Sequence, residues 1–315
     1  MVYFERASKG EQSLETECRA PLVLRPQGPF SAGQTLFCGQ CFRWRRQDGG
    51  FAGVAHGRRL FLREAAPGQG PVPGQAAAPG GELWLYGAGE ADRALFTHYF
   101  ACDEDYAALQ RRLSRSPKLA RCIACAPGIR VLHQDYFEML MTFLISQNNN
   151  IPRITAIVER LCAQLGGELG GGEHAFPAPE VIAAQGEAGL SFLRAGWRAG
   201  YLAEAAARVA SGEFAEARLR ALPTDEARAL LMTLRGVGPK VADCVLLFGL
   251  GRAEAFPADV HIQRAMKRLF PAGLPRCAAG CAGIAQQYLF CAQRAAPPPK
   301  KRPRKPAAPR PKPPA

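Results

Sequence analysis

No apolar run in this sequence reaches the ~18 residues that a membrane-spanning helix requires, so no helical span is expected. Acidic residues are scarce: 27 Asp and Glu stand against 40 Lys and Arg, a net charge of +13. Such an imbalance suits a polyanionic partner. From Lys300 on the chain holds Lys300, Lys301, Arg302, Arg304, Lys305, Arg310 and Lys312 and no acid at all. The remainder still carries +6, so the positive charge is not a property of the tail alone. A metal-ligand quartet is also missing. Cys38/Cys41 and Cys122/Cys125 form CxxC pairs, but no further paired Cys or His completes a zinc site. No secretory leader pattern opens the chain, and Glu5, Glu11, Glu15 and Glu17 argue against a mitochondrial transit peptide. The eleven cysteines are therefore expected as free thiols in a reducing compartment. No metal or other cofactor is expected.

What is present is a chain of 315 residues, 48% apolar, long enough for one large or two ordinary domains. Residues 1–20 are polar and expected to be flexible. Short β-type runs follow at Pro21–Leu24, Phe42–Arg45, Gly53–Ala55, Leu60–Leu62 and Leu83–Tyr86, separated by turn residues. They predict an antiparallel sheet within a domain spanning 21–130. Residues 65–81 are almost all Gly, Pro, Ala and Gln, which predicts a disordered loop inside it. From Glu90 the period becomes helical. A helical domain is expected over 131–295. It would contain an apolar helix from Tyr136 to Ile145, a helix with Pro152 in its first turn and the stripe Ile154, Ile157, Val158, Leu161 and Leu165, a glycine-rich loop over 166–172, and a last helix over 283–295. Thr224 reads as the capping hydroxyl of a helix over 227–234. Residues 296–315 form a basic, proline-rich tail, expected to be disordered and to resemble a nuclear localisation signal.

The densest signal is Leu234-Arg-Gly-Val-Gly-Pro-Lys-Val-Ala-Asp-Cys244. A helix ends, two glycines make a tight turn, and Pro239 opens a second helix. Gly236 and Gly238 can take positive φ and let a backbone approach closely. The amides opening the second helix then face a phosphate, a grip that reads no sequence. Lys240 stands at that helix start, where a plain phosphate contact is its simplest role. Asp259, nineteen residues on, precedes a helix and has the plain role of N-cap. Together they suggest more: an amine at the positive end of a helix dipole suits nucleophilic work, and a carboxylate nearby can take a proton or stabilise a cation.

Several stretches then resemble the eukaryotic type of 8-oxoguanine DNA glycosylase/AP lyase, within the helix-hairpin-helix Gly/Pro…Asp glycosylases. They are Cys38–Trp44, Asn148–Ile154, Gly196–Tyr201, Gly236–Cys244, Pro257–His261 and Ala282–Phe290, in the family's order. The resemblance implies an α+β fold: an N-terminal antiparallel sheet domain, then a mostly helical core with the DNA cleft between helical subdomains. It implies that Lys240 attacks C1′ of the damaged nucleoside and that the Schiff base permits β-elimination, with Asp259 stabilising the developing charge. The target base must first leave the stack. By the same resemblance the Gly39 carbonyl accepts the N7–H that distinguishes 8-oxoguanine, Gln286 bonds the pairing edge, Phe290 and Cys244 flank the base, and Pro257 lines the pocket. Asn148, Arg153 and Arg198 hold the orphaned cytosine, Trp197 is the wedge, and Gly236, Gly238 and His261 meet the backbone.

The implied partner is double-stranded DNA containing oxidised guanine, with room for downstream base-excision-repair proteins, no membrane, and a monomeric state. The implied location is the nucleus, with room for a mitochondrial pool. Departures are Arg235 where proline is usual, Trp197 for tyrosine, Gln147 for a small residue, Ala258 for valine, and a non-acidic continuation after Phe290, which leaves the length of the last helix open. Cys277, Cys281 and Cys291 lack the spacing of the iron–sulfur relatives. Two other readings stay open: a glycosylase for another damaged purine such as an alkylated base, and a non-catalytic DNA-binding module.

Overall fold

The computed structural model describes residues 20–65 and 81–295. The expectations for the N-terminus, the loop over 65–81 and the basic tail fall almost wholly outside these described residues. Strands β1 (Leu22–Leu24), β2 (Trp44–Gln47), β3 (Gly50–Ala55), β4 (Arg58–Glu64) and β5 (Leu83–Tyr86) form one antiparallel sheet in the order β1-β5-β4-β3-β2. Two-residue turns set its register. Asp48-Gly49 and His56-Gly57 both have positive φ throughout, the geometry that matches strand twist. Because the turns sit there, β2 begins two residues later than the aromatic run suggested, and β3 and β4 are longer.

The sheet region is not all sheet. It carries α1 (Ala32–Leu36), α2 (Arg93–Tyr99), α3 (Tyr106–Leu113) and α4 (Pro117–Cys125). Short polar caps start three of them: the Ser31, Asp105 and Ser116 side chains accept from backbone amides in the first turn. The sequence reading lacked α1, only five residues long, and α4.

The helical part begins with α5 (Tyr136–Ser146), buried from Tyr136 to Ile145 except at Glu138. Asn150 caps α6 (Ile151–Leu165), and its expected stripe is buried from Ile154 to Leu161. The glycine-rich stretch after it is a small hairpin, β6 (Glu168–Gly170) and β7 (Glu173–His174), rather than a loop. Then come α7 (Pro179–Gly189), α8 (Arg198–Ala210), α9 (Glu216–Ala221), α10 (Thr224–Leu231), α11 (Pro239–Phe248), α12 (Val260–Leu269) and α13 (Ala282–Ala295). Helices α7 and α9 were not foreseen. Thr224 is not a cap: Pro223 takes that position, and the Thr224 hydroxyl bonds the Glu254 carboxylate.

Two cores meet at one loop. Cys38 and Phe42 belong to the helical core, while Cys41 packs with the sheet. Between them the buried Gln40 donates to the Thr35 and Arg130 carbonyls, each at 2.8 Å, and accepts from the Leu132 amide at 2.8 Å. The Cys38 and Cys41 thiols lie 3.1 and 3.2 Å from the Thr35 and Leu36 carbonyls, a structural use for this CxxC pair. Arg130 is fully buried, and its guanidinium donates to the carbonyls of Gln27, Gly28, Pro29, Ala101 and Glu104. It also lies 4.5 Å from the centre of the Tyr106 ring. Burial drives its pKa down, but five acceptors keep a charge there supplied.

Replacing Arg130 with Met should therefore leave several carbonyls buried and unpaired. The expected loss is about 3 kcal/mol or more, read as a lower denaturant midpoint at unchanged slope.

Candidate active site

The hairpin between α10 and α11 shows why two glycines are used, and for different reasons. Gly236 has φ +87°, and a Cβ there would lie 2.2 Å from the Tyr201 ring. Gly238 is extended (φ −94°, ψ 179°) without using the positive φ open to glycine, and a Cβ there would meet nothing within 4 Å. It is the N-cap of α11, in open space, with the helix's first amides beside it. Gly236 fits the protein, and Gly238 leaves room for what approaches it.

Arg235 now has a physical account. Its guanidinium pairs with Glu204 at 2.9 Å and lies 5.2 Å from the Tyr201 ring centre. Trp197 meets the same ring edge-on, with centroids 5.2 Å apart. Tyr201, given no role from sequence, is thus the shared seat of the hairpin and of Trp197. Trp197 itself is 50% exposed, the only aromatic among the exposed large hydrophobic residues described.

Lys240 is half-buried in the first turn of α11, with its Nζ 4.9 Å from the centre of the Phe143 ring. Phe143, from α5, stacks on Phe248 at 5.5 Å. It is a second residue that sequence reasoning missed, since it read only as core. Burial pushes the Cys244 thiol up. The charge of Lys240 and a hydrogen bond from it act the other way, and the carboxylates of Asp243 and Asp259 add to the rise. Cys244, Lys240 and Asp259 thus share one neighbourhood.

Asp259 does cap α12, but through one oxygen. Oδ1 accepts from the amides of His261 and Ile262, at 2.9 and 2.8 Å. Oδ2 takes no part in these bonds. Pro257 is buried beside it and His261 is exposed.

From the sheet side, Gly39 has φ +85°, and a Cβ there would stand 3.6 Å from the Phe290 ring. Gln286 is buried one turn earlier on α13, and its Oε1 accepts from Gln287 Nε2 at 3.0 Å. The last helix does not stop at Phe290. It continues to Ala295, and Arg294 sits 5.5 Å from the Phe290 ring centre, which supplies the packing that the missing acidic continuation left open.

The loop Gln147–Asn150 faces the turn before α8. Asn148 is exposed with φ +45°. Arg153 is exposed and donates to the Arg194 carbonyl at 3.2 Å. Arg198 differs from a presented DNA contact: it is buried, and its guanidinium donates to the carbonyls of Gln147, Asn148 and Ala195. Burial lowers its pKa, with the charge of Arg153 adding to the effect. It lies 4.2 Å from the Trp197 ring centre. It orders the asparagine loop and backs the tryptophan.

With this geometry in view, two family models cover most of the chain: "8-oxoguanine DNA glycosylase, N-terminal domain" over 23–140, and "HhH-GPD superfamily base excision DNA repair protein" over 141–274. A probable N-glycosylase/DNA lyase of Methanothermobacter thermautotrophicus is 30% identical over 78% of this chain and 84% of its own length. The chain belongs to the 8-oxoguanine DNA glycosylase family. A Saccharomyces cerevisiae N-glycosylase/DNA lyase is 39% identical over 45% of this chain, a match that spans 42% of the yeast protein. The Clostridium acetobutylicum 8-oxoguanine glycosylase/lyase, solved with double-stranded DNA holding cytosine opposite 8-oxoguanine, is 30% identical. It covers 88% of this chain and 96% of that one, with a TM-score of 0.77. The five-stranded sheet followed by a mostly helical core is therefore the architecture of an 8-oxoguanine glycosylase.

The two hairpin glycines should respond differently to alanine. Gly236→Ala meets both a left-handed backbone and the Tyr201 ring and should cost about 2 kcal/mol or more, whereas Gly238→Ala should cost under about 1 kcal/mol. Thermal denaturation of the two variants checks this. Gly238→Ala should nevertheless weaken binding to undamaged duplex, because its methyl occupies the open side.

Proposed function

We propose that this protein excises 8-oxoguanine opposite cytosine from duplex DNA and cleaves the resulting site as an AP lyase. The observation that carries the reading is Lys240 in the first turn of α11, one turn before the buried Cys244 and over the Phe143 ring, at a helix start whose open side is kept by Gly238. Gly39 and Phe290 stand against each other as the other wall of a pocket.

The flipped nucleotide enters between the α11 start and the Gly39–Phe290 contact. The Lys240 amine bonds to C1′ as the C1′–N9 bond breaks, and the base leaves with that electron pair. The free Oδ2 of Asp259 faces the positive charge that develops on the sugar. Ring opening gives a Schiff base between Lys240 and C1′, and loss of a C2′ proton expels the 3′ phosphate. The Gly39 carbonyl accepts the N7–H of the oxidised base. Guanine offers no hydrogen there and leaves a buried acceptor unpaired, a penalty of ~1–3 kcal/mol, or roughly five- to 150-fold. Gln286 reads the pairing edge, with Cys244, Phe290 and Pro257 around the ring. Trp197 fills the gap in the stack. Asn148 and Arg153 meet the orphaned cytosine, and Arg198 joins them by exchanging carbonyl partners. Gly236 shapes the hairpin whose amides, with His261, grip phosphates. Monomeric action and nuclear residence belong to the same proposal. An alkyl-base specificity has less support, because Lys240 has no task in a water-driven excision.

The test is reductive trapping. Wild type with borohydride and an 8-oxoguanine:cytosine duplex should give a covalent adduct, and Lys240→Gln should give none. Asp259→Asn keeps a competent cap, so it should fold and bind normally while excision falls by about 10²-fold or more. An adduct that persists in Lys240→Gln, or wild-type excision in Asp259→Asn, would contradict the reading.

A further inference from the structure

Two long stretches of the chain contain no acid. Residues 106–134 hold Arg111, Arg112, Arg115, Lys118, Arg121 and Arg130, and nothing after Asp259 is acidic. The fold brings these stretches together. Helix α4 packs on α13, and α3 packs on the short 3-10 turn Arg276–Ala278. The Lys118 amine donates to the Leu269 carbonyl at 2.5 Å, closing the end of α12 against the start of α4. Between them lies an open groove of about 520 Å³ lined by Arg112, Arg115, Ser116, Pro275, Arg276 and Cys277.

These cations are not neutralised as others are. Arg25, Arg45, Arg58, Arg93, Arg208, Arg220, Arg228 and Arg235 each pair with a carboxylate. No ion pair found among the described residues involves Arg112, Arg115 or Arg276. Arg112 is instead held by the Ala279 carbonyl and the Cys281 sulfur. Helix α12 leads from the Lys118–Leu269 contact back to its N-cap, Asp259. Its exposed side carries His261, Gln263, Arg264, Lys267 and Arg268 toward Leu269. At 1.5 Å per residue it spans about 15 Å, the rise of roughly four to five base pairs.

We propose that the α12 face and the Arg112–Arg115–Arg276 groove form a second contact surface for duplex DNA, taking the phosphate backbone beyond the lesion-binding site. Continuity with the catalytic aspartate and the absence of acids favour a phosphate backbone over a separate acidic protein. The contact reads no sequence, since arginines around an open groove meet phosphates and not base edges. It rests on the reading of the protein as a duplex binder and does not depend on its chemistry.

The test uses the full chain with Arg115→Gln and Arg276→Gln combined, and Arg58→Gln as a control on a paired arginine. Binding to undamaged duplexes of about 12 and about 30 base pairs is followed by anisotropy across salt concentrations. The double variant should keep the wild-type melting temperature and wild-type affinity for the short duplex. On the long duplex its salt slope should fall by about 2, near 0.9 per lost phosphate contact, with affinity about tenfold weaker at low salt. Equal effects on both lengths, or none on either, would overturn the proposal. So would unchanged DNA binding with lost binding of a poly-glutamate peptide, which would make the groove a protein-docking surface. Lys240 trapping on the short duplex reports separately on the excision reading.

Discussion

The site is divided between two parts of the chain, and the Gln40 side chain holds them in register. Its side-chain amide bonds Thr35, Arg130 and Leu132, while the backbone carbonyl of Gln40 accepts from Gln134 Nε2 at 2.8 Å. The Gln134 amide in turn donates to the Phe248 carbonyl at 2.8 Å. Phe248 ends α11, the helix that Lys240 begins. The Gln40 main chain, Gln134 and α11 thus connect the loop of Gly39 to the helix that carries Lys240, while the Gln40 side chain seats that loop on Thr35, Arg130 and Leu132. Buried polar links of this kind are costly unless complete, and here each of the named groups has its partner. Arg130, one step further, fastens residues 27–29 and 101–104 to the same node.

A second economy appears where structural and chemical roles share one side chain. Asp259 caps α12 through Oδ1 alone, which leaves Oδ2 outside the cap for the role proposed above. Arg198 packs behind Trp197 and orders the asparagine loop through carbonyls alone. Tyr201 seats the hairpin, Arg235 and Trp197 together. The hairpin and Trp197 therefore pack on one ring.

Much of this was legible from sequence, for identifiable reasons. The hairpin is local, so spacing and residue type reveal it. The sheet and long helices follow period and turn chemistry. Helices α1 and α9 are short and α7 is rich in small residues, so they carry little periodic signal, whereas α4 has a buried face of Leu119, Cys122 and Ile123 that the reading passed over. Gly238 was not told apart from Gly236 because a glycine at an N-cap and a glycine at a left-handed turn look alike in one dimension. Gln40, Phe143 and Tyr201 escaped for a different reason. Their importance lies in contacts spanning about 35 to 110 residues, which no local pattern encodes. Arg235 looked like a defect until Glu204 and Tyr201 stood beside it.

The claim most exposed to test is that discrimination and nucleophile are separate elements held together by Gln40. Gln40→Leu, assayed below its melting temperature, should be compared on two substrates in single turnover with borohydride. Trapping at a preformed abasic site needs Lys240 but no base pocket, and should stay near wild type. Excision of 8-oxoguanine needs the Gly39 wall in register and should fall by about tenfold or more. Equal retention of both activities, or their loss in parallel in a folded variant, would contradict the account.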